Sequence, residues 1–165
     1  MNETNAYAAP ESSLELDINE KTGNLTTDLY SQGTWRLLLL TVVTLGIYLA
    51  HYMKRQTNIL NEHLSASKRI SEGLINAIVI MSYITVLMVI PFFFLEEGHP
   101  IEHLSSLGDK VLNILTLVWA FKARNRMNSV LKSKAGTSNW FHGLWTFLFQ
   151  TLYFNYKVNK INEKA

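Results

Sequence analysis

Hydrophobic and polar positions are sharply segregated along the chain. Residues 74–95 contain no charged side chain. At ~1.5 Å per residue, a helix over this stretch would be about 33 Å long, enough to cross a hydrocarbon core of ~30 Å. Residues 34–53 form a second apolar stretch. Trp35 and Arg36 stand at one end of it, and Tyr48, Tyr52, Lys54 and Arg55 at the other, the aromatic and cationic side chains that favour a headgroup boundary. Residues 111–121 are apolar but reach only about 17 Å. Starting that segment at Leu104 makes it long enough, with Asp109 and Lys110 at the outer interface, where Lys110 can snorkel. A fourth stretch, 140–156, is rich in Trp, Phe, Leu and Tyr. The pattern predicts an all-α integral membrane protein. Its four membrane-embedded helices lie at about 34–53, 74–95, 104–122 and 140–156 of a membrane domain over 34–162. Gly46 within the first is expected to allow close packing or a bend, and Pro91 to kink the last turn of the second.

The polar remainder organises the ends and loops. Residues 1–33 read as a flexible, disordered acidic tail, too poor in bulky apolar groups to offset the entropy of ordering. No cleavable signal is visible in it, so the first apolar segment is expected to act as the anchor. Residues 54–73 are basic with a partial apolar stripe (Ile59, Leu60, Leu64, Ile70), suiting either a surface helix or a solvated connector.

Charge sets the expected orientation. The net charge of +2 hides a strong asymmetry. Before Arg36 the only base is Lys21, against Glu3, Glu11, Glu15, Asp17, Glu20 and Asp28. Between Lys110 and Glu163 there are Lys122, Arg124, Arg126, Lys132, Lys134, Lys157 and Lys160, and no acid. Short basic loops stay cytoplasmic. This places 54–73 and 122–139 inside and the acidic loop 96–110, with Glu96, Glu97, Glu102 and Asp109, outside. If the first and last segments span, both termini lie outside; if they are re-entrant, both lie inside. The second arrangement is favoured, because the two segments exit through a similar signature of paired tyrosines followed by lysine: Tyr48, Tyr52 and Lys54, then Tyr153, Tyr156 and Lys157. The basic loops suit anionic lipid headgroups as the partner and not nucleic acid.

Candidate chemistry is sparse. There is no cysteine, so thiol chemistry and disulfides are excluded. His99 and His103, beside Glu96, Glu97 and Glu102, have helical metal-ligand spacing, but Pro100 interrupts the helix and a solvated loop is the expectation. Asn76, Ser82 and Thr85 are polar groups within the second segment. They could line a pathway, but helix-packing bonds account for them better. His51, His63 and His142 fall near interfaces. No catalytic triad, zinc-protease motif, phosphate loop or carboxylate pair is present. No catalytic, cofactor-binding or metal residues are therefore assigned, and no cofactor is expected.

Three elements carry a resemblance to a known family. They are Thr44-Leu45-Gly46-Ile47-Tyr48, Trp119-Ala120-Phe121-Lys122-Ala123-Arg124, and Trp145-Thr146-Phe147-Leu148-Phe149 continuing to Leu152-Tyr153-Phe154-Asn155-Tyr156-Lys157-Val158-Asn159. In this order they resemble the small bacterial membrane proteins grouped as domain of unknown function 4234, over about residues 35–162. Asn5-Ala6-Tyr7-Ala8-Ala9-Pro10 looks like the Asn-Pro-Tyr opening of small inner-membrane proteins, with Ala6 in place of the first proline. The resemblance implies a helical, multi-pass protein of the bacterial inner membrane and carries over no site residue. The resulting expectation is a non-enzymatic accessory or interaction subunit, as a homo-oligomer or within a larger membrane complex. The alternative is a small oligomeric channel or transporter.

Overall fold

The computed structural model describes residues 25–94 and 100–164, and all regular structure among them is helical. A helical turn over 25–29 opens the described chain. Five longer helices follow: α1, Thr34–Val43; α2, Ile47–Glu62; α3, Glu72–Val89; α4, Pro100–Val130; and α5, Gly143–Asn162. Short 3-10 turns sit at Ala66–Lys68 and Ile90–Phe93. The loop reading of the His99–His103 pair cannot be checked, since His99 lies outside the described residues, as do Glu96 and Glu97; His103 is an exposed residue of α4.

Helix α3 follows directly from the uncharged run. Glu72 in its first turn complements the positive end of the helix dipole. Its far end is set by Pro91, which lacks an N–H and is accommodated in the 3-10 turn that begins at Ile90. The α-helical pattern thus gives way to a 3-10 turn at the proline, in the last turn of the segment where a kink was expected. Helix α4 is longer than the predicted 104–122: its 31 residues reach about 46 Å. Helices α3 and α4 pack closely and antiparallel. A methyl group placed on Gly108 of α4 would lie 3.5 Å from Thr85 Cγ2 of α3, so glycine lets the two backbones approach there.

Two helical stretches are long and apolar enough to cross a membrane, Ala66–Val89 and Ile101–Val130. The four membrane-embedded helices expected from the pattern are therefore corrected to two candidate spans. The stretch 34–53 drops out because it is split into helices of 10 and 16 residues, and 140–156 because Gln150, Asn155, Lys157 and Asn159 dilute the hydropathy of its helix; both are also broken in the middle. Between α1 and α2 the helix stops at Val43 and restarts at Ile47. Within α5, Gln150 has φ 42° and ψ −117°, far from helical values. The chain turns at both places.

The core lies where these elements converge. Trp119 of α4 is fully buried. Its indole N–H donates to Thr57 Oγ1 of α2 at 2.7 Å, and its ring meets Phe154 of α5 edge-on at 5.5 Å. Leu25 and Leu29, from the end of the stretch read as a flexible tail, are also fully buried in this core.

Candidate functional site: two helical hairpins clasped at their bases

The first break is a helix-ending motif made by the Thr-Leu-Gly-Ile-Tyr element. The Gly46 N–H donates to the Thr41 carbonyl at 2.8 Å, and the Leu45 N–H to that of Val42 at 3.2 Å. This is the bond pair of a Schellman motif. Leu45 (φ 50°) and Gly46 (φ 94°) are both left-handed, and two such residues in succession swing the chain away from the axis of α1. The Thr44 hydroxyl donates to the Leu40 carbonyl at 2.7 Å and accepts the Tyr48 N–H at 2.9 Å, so one side chain serves the end of α1 and the start of α2. A methyl on Gly46 would meet nothing within 4 Å. Of the two roles expected for this glycine, the bend is therefore the one observed, and close packing is not.

The bend is a reversal. Arg55 donates to Ser31 Oγ at 2.7 Å, although 24 positions of continuous helix would hold the two about 36 Å apart. The Tyr48 hydroxyl likewise returns to Gln32 Oε1 at 2.7 Å. The second break behaves in the same way. The His142 N–H donates to the Tyr153 hydroxyl at 3.0 Å, where a straight helix would separate them by about 16 Å. Lys157 reaches the Ser138 carbonyl at 2.7 Å. Helices α1 and α2 form one hairpin with its tip at 44–46. The arms 143–149 and 151–162 of α5 form another, with its tip at Gln150. That tip is held to α4, with Thr116 Oγ1 lying 2.8 Å from Gln150 Oε1.

The bases of the hairpins are joined by buried and half-buried amides. Asn155 of α5 is fully buried. Its Oδ1 accepts the Tyr52 hydroxyl at 2.9 Å, and its Nδ2 donates to the Gln32 carbonyl at 3.2 Å and to Thr34 Oγ1 at 3.1 Å. Asn159 also donates to the Gln32 carbonyl, at 3.0 Å, and Asn162 to that of Thr26 at 2.6 Å. Two other asparagines pin the connectors by gripping both backbone groups of one residue. Asn61 holds Ile70 (2.9 and 2.8 Å), and Asn128 holds Phe141 (3.1 and 2.8 Å). None of these amides was singled out as a site residue in the sequence. Their signal, Asn at the mouth of an apolar stretch, is shared with ordinary loop residues, and only the fold brings them together.

Outside this clasp the surface divides by polarity. The tips and outer arms expose Leu39, Val42, Val43 and Leu45 on the first hairpin, and Leu144, Phe147, Leu148 and Phe149 on the second. Exposed apolar groups continue along α3 (Ile80, Leu87) and α4 (Leu107, Ile114). The bases carry cations and aromatics: Arg124 stands over the Trp140 ring at 5.3 Å and Arg55 over Tyr52 at 5.6 Å. An open groove of about 1240 Å³ runs between the start of α1 and both arms of α5, with Trp35, Trp145 and Phe149 in its walls and Lys157 and Lys160 at its rim. Burial, then the nearby Lys160 and Lys164, pulls the Lys157 ammonium below the ordinary lysine range.

The remaining sequence candidates are structural. Ser82 and Thr85 are buried, and their hydroxyls donate to the Val79 and Ser82 carbonyls of their own helix, at 2.7 and 3.1 Å; Asn76 is exposed. His51 meets the Tyr83 hydroxyl at 2.9 Å. His63 lies 3.5 Å from Asp28, and His142 precedes the first turn of α5. Among the described residues, no three acidic or histidine side chains gather as a metal site would require.

The family resemblance is confirmed for the first two of its three elements; the third, from Trp145 to Asn159, lies beyond the matched stretch. The family described as Domain of unknown function (DUF4234) matches residues 32–129. The chain belongs to this family. The matched stretch takes in the first hairpin, α3 and nearly all of α4; the second hairpin follows it. No curated protein and no solved structure matches the chain significantly.

Proposed function

Starting from membership of a family whose description assigns no reaction, we propose that this chain is a non-enzymatic protein of the bacterial inner membrane. In this reading α3 and α4 span the bilayer. The two hairpins are re-entrant, and both termini lie on the cytoplasmic side with the basic connectors. The role is that of an accessory or interaction subunit, working through its membrane-embedded surface and its cationic base.

The observation that carries this reading is the paired chain reversal. Ten residues of α1 reach about 15 Å, half of a ~30 Å core, so an apolar stretch that turns back at its middle can enter a bilayer but not leave by the other face. Backbone groups at such a turn need internal partners. The Schellman bonds and Thr44 provide them at the first tip. The connectors 63–71 and 131–142 and both hairpin bases share the end of the bundle where Lys68, Arg69, Lys132, Lys134 and Lys157 lie, as positive charge on the cytoplasmic side requires. Most buried hydroxyls and amides among the described residues bond to one another or to backbone, the Gln56 amide and the Thr151 hydroxyl excepted, which favours a packing role over a solute pathway.

Single cysteines test the topology in a chain that has none of its own. Probes replacing Leu45 and Gln150 should resist a membrane-impermeant thiol reagent from both faces. Ala66→Cys and Lys134→Cys should react from the cytoplasmic face alone. Periplasmic reporter activity at either terminus would refute the arrangement. The role is tested in liposomes and by cross-linking in cells: a defined homo-oligomer that conducts solute would replace the accessory reading with a channel.

A further inference from the structure

We propose that the protein is a curvature-selective wedge, partitioning to membrane whose cytoplasmic leaflet is the convex one. The inference rests on the re-entrant reading above and adds a physical activity to it.

The argument is one of cross-section. Both hairpin bases lie at the end of the bundle where α3 begins and α4 finishes, because short connectors join them there: α2 leads into α3 through 63–71, and α4 leads into α5 through 131–142. Both tips therefore point the same way. In the half of the bilayer nearest the bases, six helical segments lie side by side: α1, α2, α3, α4 and the two arms of α5. In the other half, α3 and α4 continue without them. A helix with its side chains is about 10 Å across, so the four additional arms occupy on the order of 300 Å² more in one leaflet than in the other.

A wedge acts on a membrane only if it is stiff and if it displaces lipid, and both conditions are met. The hairpins are tied to each other by Asn155, through Tyr52, Gln32 and Thr34. Both are tied to α4, by Thr57 to Trp119 and by Gln150 to Thr116. Their outward faces carry bulky apolar side chains, Leu39, Val42, Val43, Leu144, Phe147 and Leu148, which take the place of acyl chains. The cations at the bases hold that end at an anionic headgroup layer, fixing the depth at which the extra area is inserted. The leaflet holding the hairpins needs more area than its partner, and bending with that leaflet outermost supplies it. In a cell this corresponds to inward folds of the cytoplasmic membrane.

The test uses the full chain in giant vesicles of phosphatidylethanolamine and phosphatidylglycerol, from which narrow tubes are drawn outward. Two variants, Ser12→Cys and Ala165→Cys, carry a fluorophore near one terminus or the other. A membrane-impermeant quencher added outside separates copies whose label faces out from those whose label faces in. For both variants, copies with the label outside should be enriched about twofold in the tube, and copies with the label inside depleted, as expected of a curvature-sensitive insertion. Even partition of both populations, or enrichment regardless of orientation, overturns the wedge. The two failures are separated by terminal reporter fusions in cells: even partition with both termini cytoplasmic overturns the wedge alone, whereas periplasmic reporter activity at the termini identifies a failure of the re-entrant reading itself.

Discussion

Replacing Asn155 by alanine tests the clasp most directly. The side chain is fully buried and makes three bonds, but they are not equal. The Gln32 carbonyl keeps a second donor in Asn159, so losing Asn155 there costs little. The Tyr52 hydroxyl has no such reserve: at 2% exposure it is left as a buried, unpaired group, a penalty of about 1–3 kcal/mol. Adding the lost bond to Thr34 and the small void brings the expected destabilisation of Asn155→Ala to roughly 3 kcal/mol. Tyr52→Phe removes the hydroxyl and should couple to Asn155→Ala by about 1 kcal/mol in a double-mutant cycle. That exceeds the ~0.6 kcal/mol average for interhelical bonds in bilayers, because protein encloses both partners. Equilibrium unfolding in mixed micelles, followed by the fluorescence of the four tryptophans, measures all three variants. Strict additivity within ~0.3 kcal/mol would show that the bond contributes nothing and that the clasp is not what joins the hairpins.

Other substitutions probe the turns and the core. Gly46→Ala should destabilise by about 1 kcal/mol through backbone strain alone, since space is free around it, whereas Leu45→Gly should stabilise by a similar amount by relieving its left-handed conformation; the same titration checks both, and opposite signs would remove the Schellman turn from the account. Gln56 is fully buried with neither end of its amide paired, so Gln56→Leu should raise stability by about 1–2 kcal/mol, seen as a higher unfolding midpoint. Trp119→Phe loses the bond to Thr57 and leaves a void, and should cost about 2–3 kcal/mol with a blue-side loss in the emission spectrum. Lys157 is held below the ordinary lysine range, so the folded chain binds its proton less well than the unfolded chain. Stability should therefore rise with pH through the window just below the ordinary lysine value, and Lys157→Gln should flatten that rise in unfolding curves taken across the alkaline range.

Sequence alone determined the helical class, the uncharged run that becomes α3 and the crowding of cations at one end, because these depend on composition and local hydropathy, which tertiary contacts do not alter. It also singled out the Thr44–Tyr48 element, whose Leu-Gly pair is a helix stop as well as part of a family pattern. What it could not decide was whether an apolar stretch of 17 to 20 residues continues straight or folds back. Hydropathy is blind to direction: residues 34–53 have the same profile either way. The reversal is fixed by two left-handed residues, a threonine serving two helices, and bonds such as Ser31 to Arg55 and His142 to Tyr153 that exist only once the arms are antiparallel. Gln150 carried no warning at all, since glutamine is a good helix former and its turn is held from α4 by Thr116. The clasp at Asn155 was equally hidden, because its partners lie 103 and more positions away. Local chemistry chose the helices; long-range hydrogen bonds between the hairpin bases decided which of them turn back.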